Sequence, residues 1–115
     1  MDTQAVLDHQ MAAFANGSAD EIIEDFTDDS VLISADGVVR GRAAIHEAYS
    51  EFFSDLFKPG TYDFTLDAVH VEGEVAQIVW RAICATADIP LGTDTFVIRH
   101  GKVVAQAFAA KIDPK

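Results

Sequence analysis

"GTDTFVIRHGKVVAQAF", residues 92–108, decides the fold. Two runs rich in Val, Thr, Phe and Ile flank His100-Gly101, a short polar break between strand-like segments. The stretch predicts a long β-hairpin. Asp94 sits inside its first arm. Aspartate is depleted in strands, and a buried, unpaired charge is costly. Asp94 therefore caps the strand, faces water, or belongs to a pocket.

Working outward, "TYDFTLDAVHVEG" (61–73), "EVAQIVWRAICATA" (74–87) and "KVVAQAFAAKI" (102–112) also read as strands. The expected breaks are Glu72-Gly73, the 88–92 segment with Pro90, and His100-Gly101. Breaks this short imply an antiparallel meander. Upstream the period changes. Leu7, Met11 and Phe14 recur at helical spacing with Val6 alongside, and Gly17 stops that helix. Ser18 with Glu21 forms a capping box for a second, short helix with Ile22, Ile23 and Phe26 on its apolar face. "SVLISADGVVRG" (30–41) is β-rich and broken by Asp36-Gly37, a hairpin signal. Ile45, Ala48, Tyr49, Phe52, Phe53, Leu56 and Phe57 form a wide helical stripe, which "KPG" (58–60) ends. Helices first and strands afterwards give an α+β fold, with a curved sheet wrapped around the third helix.

The chain has 115 residues, half of them hydrophobic, so one domain spanning 1–115 is expected. A net charge of −11 argues against nucleic acid and anionic membranes as partners. The first residues carry acids and no basic leader region, and no apolar run approaches a membrane span, so a cytoplasmic location is expected. Cys84 lies in an apolar run and reads as a small buried hydrophobe. No zinc spacing is present, and neither metal nor cofactor is expected.

Three stretches, "FANGSADEIIEDFTDDSVLI" (14–33), "DGVVRGRAAIHEAY" (36–49) and "DTFVIRHGKVVAQAF" (94–108), carry a resemblance over nearly the whole chain. It is to the nuclear-transport-factor-2-like superfamily, in its SnoaL-like and ketosteroid-isomerase-like branch. The resemblance implies a cone, with the sheet curled round the helices, an apolar pocket inside, and a homodimer through the outer sheet face. Such domains include isomerases, cyclases, hydrolases and non-enzymes, so the fold does not choose.

Set beside the ketosteroid isomerases, Asp94 matches an aspartic acid that an apolar site keeps neutral as a hydrogen-bond donor. Tyr49 matches a tyrosine of the same network. Ser34 stands where those enzymes have their general base, and Gln10 where they have their main oxyanion tyrosine. A serine cannot shuttle protons near neutral pH without its own base, so steroid isomerisation by that route is not expected. Asp36 fits the hairpin turn.

Arg81 interrupts a long strand. Alternation puts it with Val79 and Ile83, opposite Trp80, Ala82 and Cys84. Apolarity turns the Trp80 face inward, whereas the resemblance turns the Arg81 face inward, and the latter is the expectation adopted. The alternative for Arg81 is a structural ion pair. Gln106 and Phe108 share a face that the resemblance turns inward; Gln106 could instead serve the sheet backbone. His9 and His46 are expected at the surface, His100 in a turn, and the acid run 20–29 as solvated; His70 shares a face with Leu66 and Phe64. The expected catalytic residues are Asp94 and Tyr49, and the expected ligand-binding residues are Gln10, Phe14, Ser34, Arg81, Phe96, Gln106 and Phe108. The ligand is a small apolar molecule, handled by a cofactor-independent isomerase, cyclase or hydrolase. The alternative is a non-catalytic binding or dimerisation module. The apolar residues on both faces of 75–85 support the dimer.

Overall fold

A computed structural model describes residues 2–115. Its elements are α1 (Thr3–Ala15), α2 (Ala19–Ile23), β1 (Phe26–Ser34), β2 (Gly37–Arg40), α3 (Arg42–Ser54), β3 (Asp63–Glu72), β4 (Val75–Ile83), β5 (Ala87–Arg99) and β6 (Lys102–Pro114). The strands form one six-stranded sheet in the order β2-β1-β6-β5-β4-β3. β3 to β6 are the expected antiparallel meander, but β1 runs parallel to β6. That junction joins segments far apart in sequence, so turn spacing carries no sign of it.

The helix ends follow local chemistry. Asp2 caps α1 by accepting from the Ala5 amide. Gly17 closes α1 in the left-handed region (φ 63°), where the Gly17 and Ser18 amides donate to the Phe14 and Ala13 carbonyls. Ser18 caps α2 as expected, but Glu21 accepts from the Asn16 amide rather than completing a reciprocal box. Phe26 opens β1 instead of extending the α2 face. The α3 stripe buries Ile45, Tyr49 and Phe53, and Phe57 follows it inward from the turn beyond.

Two turns shift by one residue from the expected break, to 35–36 and 73–74. The expected break at 88–92 is absent. β5 runs through Pro90, and the chain reverses at 84–86 instead. Pro90 is tolerated because the β5·β6 register slips between Asp88 and Leu91, where a missing N–H costs no ladder bond. Further irregularities lie at Leu66/Ala68, Trp80/Ala82 and Val97/Ile98. Each adds local twist, and together they curl the sheet around the helices. Ser30, fully buried, helps join β1 to β6 at another irregularity by donating to the Val103 carbonyl at 2.6 Å.

The core lies between this concave face and the helices. Val6, Leu7, Ile22, Ile45, Ile89 and Val103 are essentially inaccessible, each worth roughly 1.5–3 kcal/mol of burial. Cys84 is among them as a buried thiol, and burial pushes its pKa up. Among the described residues, no helix is long and apolar enough to cross a membrane.

Candidate functional site

Alternation along three adjacent strands fixes the concave face. Ile78 and Trp80 of β4, Asp94 and Phe96 of β5, and Gln106 and Phe108 of β6 all point inward. Asp94 pairs with Ile78 on one side and Phe108 on the other, while Phe96 pairs with Gln106. Gln106 is thus Asp94's diagonal neighbour. α1 contributes Gln10, Met11 and Phe14; α3 contributes Tyr49 and Phe52; Phe57, Phe64, Ile22 and Leu32 complete the wall. The space they leave, partly open to solvent, is about 60 Å³. That is less than half of a cavity that takes benzene, which is about 150 Å³. Met11, Phe14, Phe52, Phe64 and Phe108 are the half-buried members of this wall.

Asp94 is the carboxylate of this lining. Trp80 Nε1 donates to its Oδ2 at 2.8 Å, and Gln106 Nε2 donates to its Oδ1 at 2.9 Å. Tyr49 donates its hydroxyl to Gln106 Oε1 at 3.0 Å. Gln106 Nε2 also lies 2.8 Å from the Tyr49 hydroxyl as a donor, so Tyr49, Gln106 and Asp94 form one hydrogen-bonded network. Burial pushes the Asp94 pKa above its ordinary 3.8, and the two N–H donors pull it down by less. Burial, and then the negative charge of Asp94, pushes the Tyr49 hydroxyl well above its usual range. Tyr49 is a donor and not a base.

Gly92 makes this arrangement possible. It pairs with Trp80, and a Cβ built on it would lie 2.3 Å from the indole Cε2. The indole therefore lies on bare backbone and aims its N–H at the next inward residue, Asp94. Phe64 stacks on the same indole, with centroids 5.4 Å apart, and Phe57 meets it edge-on.

The structure brings Asp94, Tyr49, Gln10, Phe14, Phe96, Gln106 and Phe108 into one lining. Arg81 and Ser34 are not in it. Arg81 is on the outer face, with its Nε 3.2 Å from Asp67 Oδ1. The Trp80 face turns inward because an indole there finds aromatic neighbours and an acceptor, whereas an arginine would bring an uncompensated charge. The ion-pair alternative for Arg81 is the observed one. Ser34 ends β1 at the hairpin, where its Oγ accepts from the Asp36 amide at 3.2 Å. Asp36 lies in the turn, as expected.

Sequence reasoning missed Trp80 and Gly92, and it missed a second polar cluster. Asp25, expected to be solvated within the acid run, is 4% exposed. Its Oδ2 accepts from Gln10 Nε2 at 2.9 Å and lies against His9 Nδ1. Hydrogen bonding to Asp25 raises the His9 pKa above 6.5, with help from the charges of Asp25, Glu24 and Glu21 and against a desolvation cost. His9 is half-buried and not freely exposed. The one available signal was helical phase: Val6, Gln10 and Ala13 share the buried stripe of α1. His70 is exposed.

A family match covers residues 7–106 and is described as a SnoaL-like domain. No curated protein matches the sequence. Among solved structures, the chain is similar to the epoxide hydrolase/cyclase-like enzyme SalBIII, which has a role in pyran ring formation in the polyether salinomycin. That likeness has 16% identity and TM-score 0.79, over 98% of this chain and 95% of that one. An NTF2-like protein of unknown function from Mesorhizobium loti matches at 18% identity and TM-score 0.78, over 95% and 90%. A de novo designed protein with a curved β-sheet matches at 12% identity and TM-score 0.78, over 95% and 84%. At these identities the likeness shows the fold alone.

Proposed function

The chain belongs to the SnoaL-like domain family, and from that premise we propose that its cone receives a small, largely apolar molecule whose oxygen meets Asp94. The observation that supports this reading is a carboxyl group in an aromatic cavity, held by Trp80 and Gln106. Both neighbours are donors. They occupy lone pairs and leave the O–H of a neutral Asp94 free for a ligand. That O–H can stabilise negative charge developing on a carbonyl or epoxide oxygen. Gln106 and Tyr49 orient it within a wall of phenylalanines.

The chemistry favoured is acid-assisted: a cofactor-independent isomerase, cyclase or hydrolase. A steroid-type proton shuttle lacks its base, because Ser34 stands at the hairpin and the lining supplies no second carboxylate among the described residues. The cavity size favours a compact substrate and an opening that moves the half-buried phenylalanines. A second reading is supported by the same lack of a base: a non-catalytic binding module with Asp94 as its polar anchor.

Turnover of small aryl epoxides by the wild type and Asp94→Asn tests the choice. Acid catalysis gives turnover that falls about 100-fold in the variant. Binding without turnover in either protein supports the module.

We also propose a homodimer through the outer sheet face. Ala105, Ala107 and Ala109 of β6 lie beside Val97, Thr95 and Thr93 of β5 on that face. These positions are small or β-branched and uncharged, on a chain of net charge −11. Repulsion between two such chains is weakest where charge is absent, which favours a second copy on this surface.

A further inference from the structure

Gln10 is 3% exposed and lines the cavity from α1. Its Nε2 donates twice, to the Ile22 carbonyl at 2.8 Å and to Asp25 Oδ2 at 2.9 Å. Both partners are acceptors, so the amide has one tenable orientation. Asp25 is itself held from behind by His9. The amide is therefore locked with its Oε1 left over, and among the described residues that oxygen is the buried side-chain polar atom without a partner. A buried acceptor left unpaired costs about 1–3 kcal/mol. A native fold keeps such a group when something else meets it.

We propose that Gln10 Oε1 is a second recognition point in the cavity, read by a ligand that carries a hydrogen-bond donor. This rests on the pocket reading above and narrows it. The ligand class becomes a compact ring or unsaturated molecule with two polar ends: an oxygen acceptor for the Asp94 O–H and, elsewhere on its frame, a hydroxyl or N–H for Gln10. A purely apolar ketone would satisfy only one end. Gln10 acts here as a specificity residue and takes no part in proton transfer, because a neutral amide oxygen neither gives nor retains a proton near neutral pH.

Benzaldehyde and its ring-substituted isomers provide the test, with binding read by calorimetry in mildly acidic solution, where the phenol stays neutral. Each hydroxybenzaldehyde is compared with the methyl-substituted isomer of the same shape. The wild type should bind one hydroxy isomer about tenfold more tightly than its methyl counterpart. Gln10→Met should abolish that preference, read as the ratio of hydroxy to methyl affinity within the variant itself. Should Gln10→Met fail to fold, the Gln10 side-chain amide resonance of the wild type serves instead: it should shift with the preferred hydroxy isomer and not with its methyl counterpart. Equal binding of hydroxy and methyl isomers at every ring position overturns the inference, as does a preference that survives in Gln10→Met. If benzaldehyde binds and the hydroxyl adds nothing, the pocket reading stands and only the role of Gln10 falls. If no member of the series binds, both fall.

Discussion

Trp80 donates its indole N–H to Asp94 across two paired strands, at 2.8 Å, and it can do so only because Gly92 has no side chain. The contact links a packing decision, an indole lying flat on backbone, to the chemistry of the one carboxyl group in the cavity among the described residues. Any change that lifts the ring also removes a donor from Asp94.

Gly92→Ala should therefore be costly although the backbone there needs no special conformation. The added Cβ would fall 2.3 Å from Cε2 of Trp80, too close for any small adjustment. We expect a loss of about 1–3 kcal/mol from overpacking, together with a shift in tryptophan emission as the indole leaves its berth. Thermal denaturation and fluorescence check both. An unchanged melting temperature and spectrum would show that the ring has room elsewhere.

Asp94→Leu should destabilise the protein by about 2 kcal/mol, because the N–H groups of Trp80 and Gln106 would be left without acceptors. Replacing a buried polar group by an apolar one can stabilise; here the two donors left behind reverse the sign. The wild type also carries a pH signature. The raised Asp94 pKa means that its proton-linked stability is fully present below the ordinary value of 3.8 and is lost as pH rises through the folded value. Urea denaturation of the wild type and Asp94→Asn should show this slope only in the wild type.

His9 gives a second pH dependence at a different place. Its pKa is raised chiefly by its hydrogen bond to Asp25, so its contribution is present below 6.5 and fades as pH rises through the folded value. His9→Gln should lose stability relative to wild type in mild acid and approach it in mild alkali. A difference independent of pH would assign His9 a packing role alone.

Paired charges on the outer sheet face test the dimer. Thr95 and Ala107 are direct cross-strand partners there. Light scattering of the wild type should give twice the 12.4 kDa chain mass. The double variant Thr95→Glu, Ala107→Glu should run as a monomer with its fold intact. A monomeric wild type at high concentration contradicts the proposal.

Much of this architecture is legible in residue order. The α3 stripe, the Gly17 stop, the Ser18 cap and the hairpin around His100-Gly101 each rest on local patterns that the fold keeps. Pro90 misleads because its missing N–H reads as a break, when a register slip absorbs it. Arg81 misleads because the resemblance turns its face inward against the apolar signal of Trp80, Ala82 and Cys84, and the fold follows the apolar signal. Asp25 sits among several acids of identical type, and only its position beside α1 sets it apart. Gly92 has no local signature, because its importance lies in a ring donated by the neighbouring strand. Asp94 is legible as an anomaly, but its partners are not: Gln106 is a diagonal neighbour, and Trp80 reaches it from the face that the resemblance turns outward.

The central claim is that burial shifts the Asp94 carboxyl group toward its protonated form, facing a ligand cavity. The direct measurement is a carboxyl carbon NMR titration of the folded protein, with Asp94→Asn assigning the resonance. The account predicts that Asp94 titrates above its ordinary 3.8, and that benzaldehyde in the cavity raises the midpoint further by accepting from the protonated form. A midpoint at or below 3.8, unmoved by the ligand, would contradict it: Asp94 would then be a carboxylate satisfied by Trp80 and Gln106, with no proton to offer.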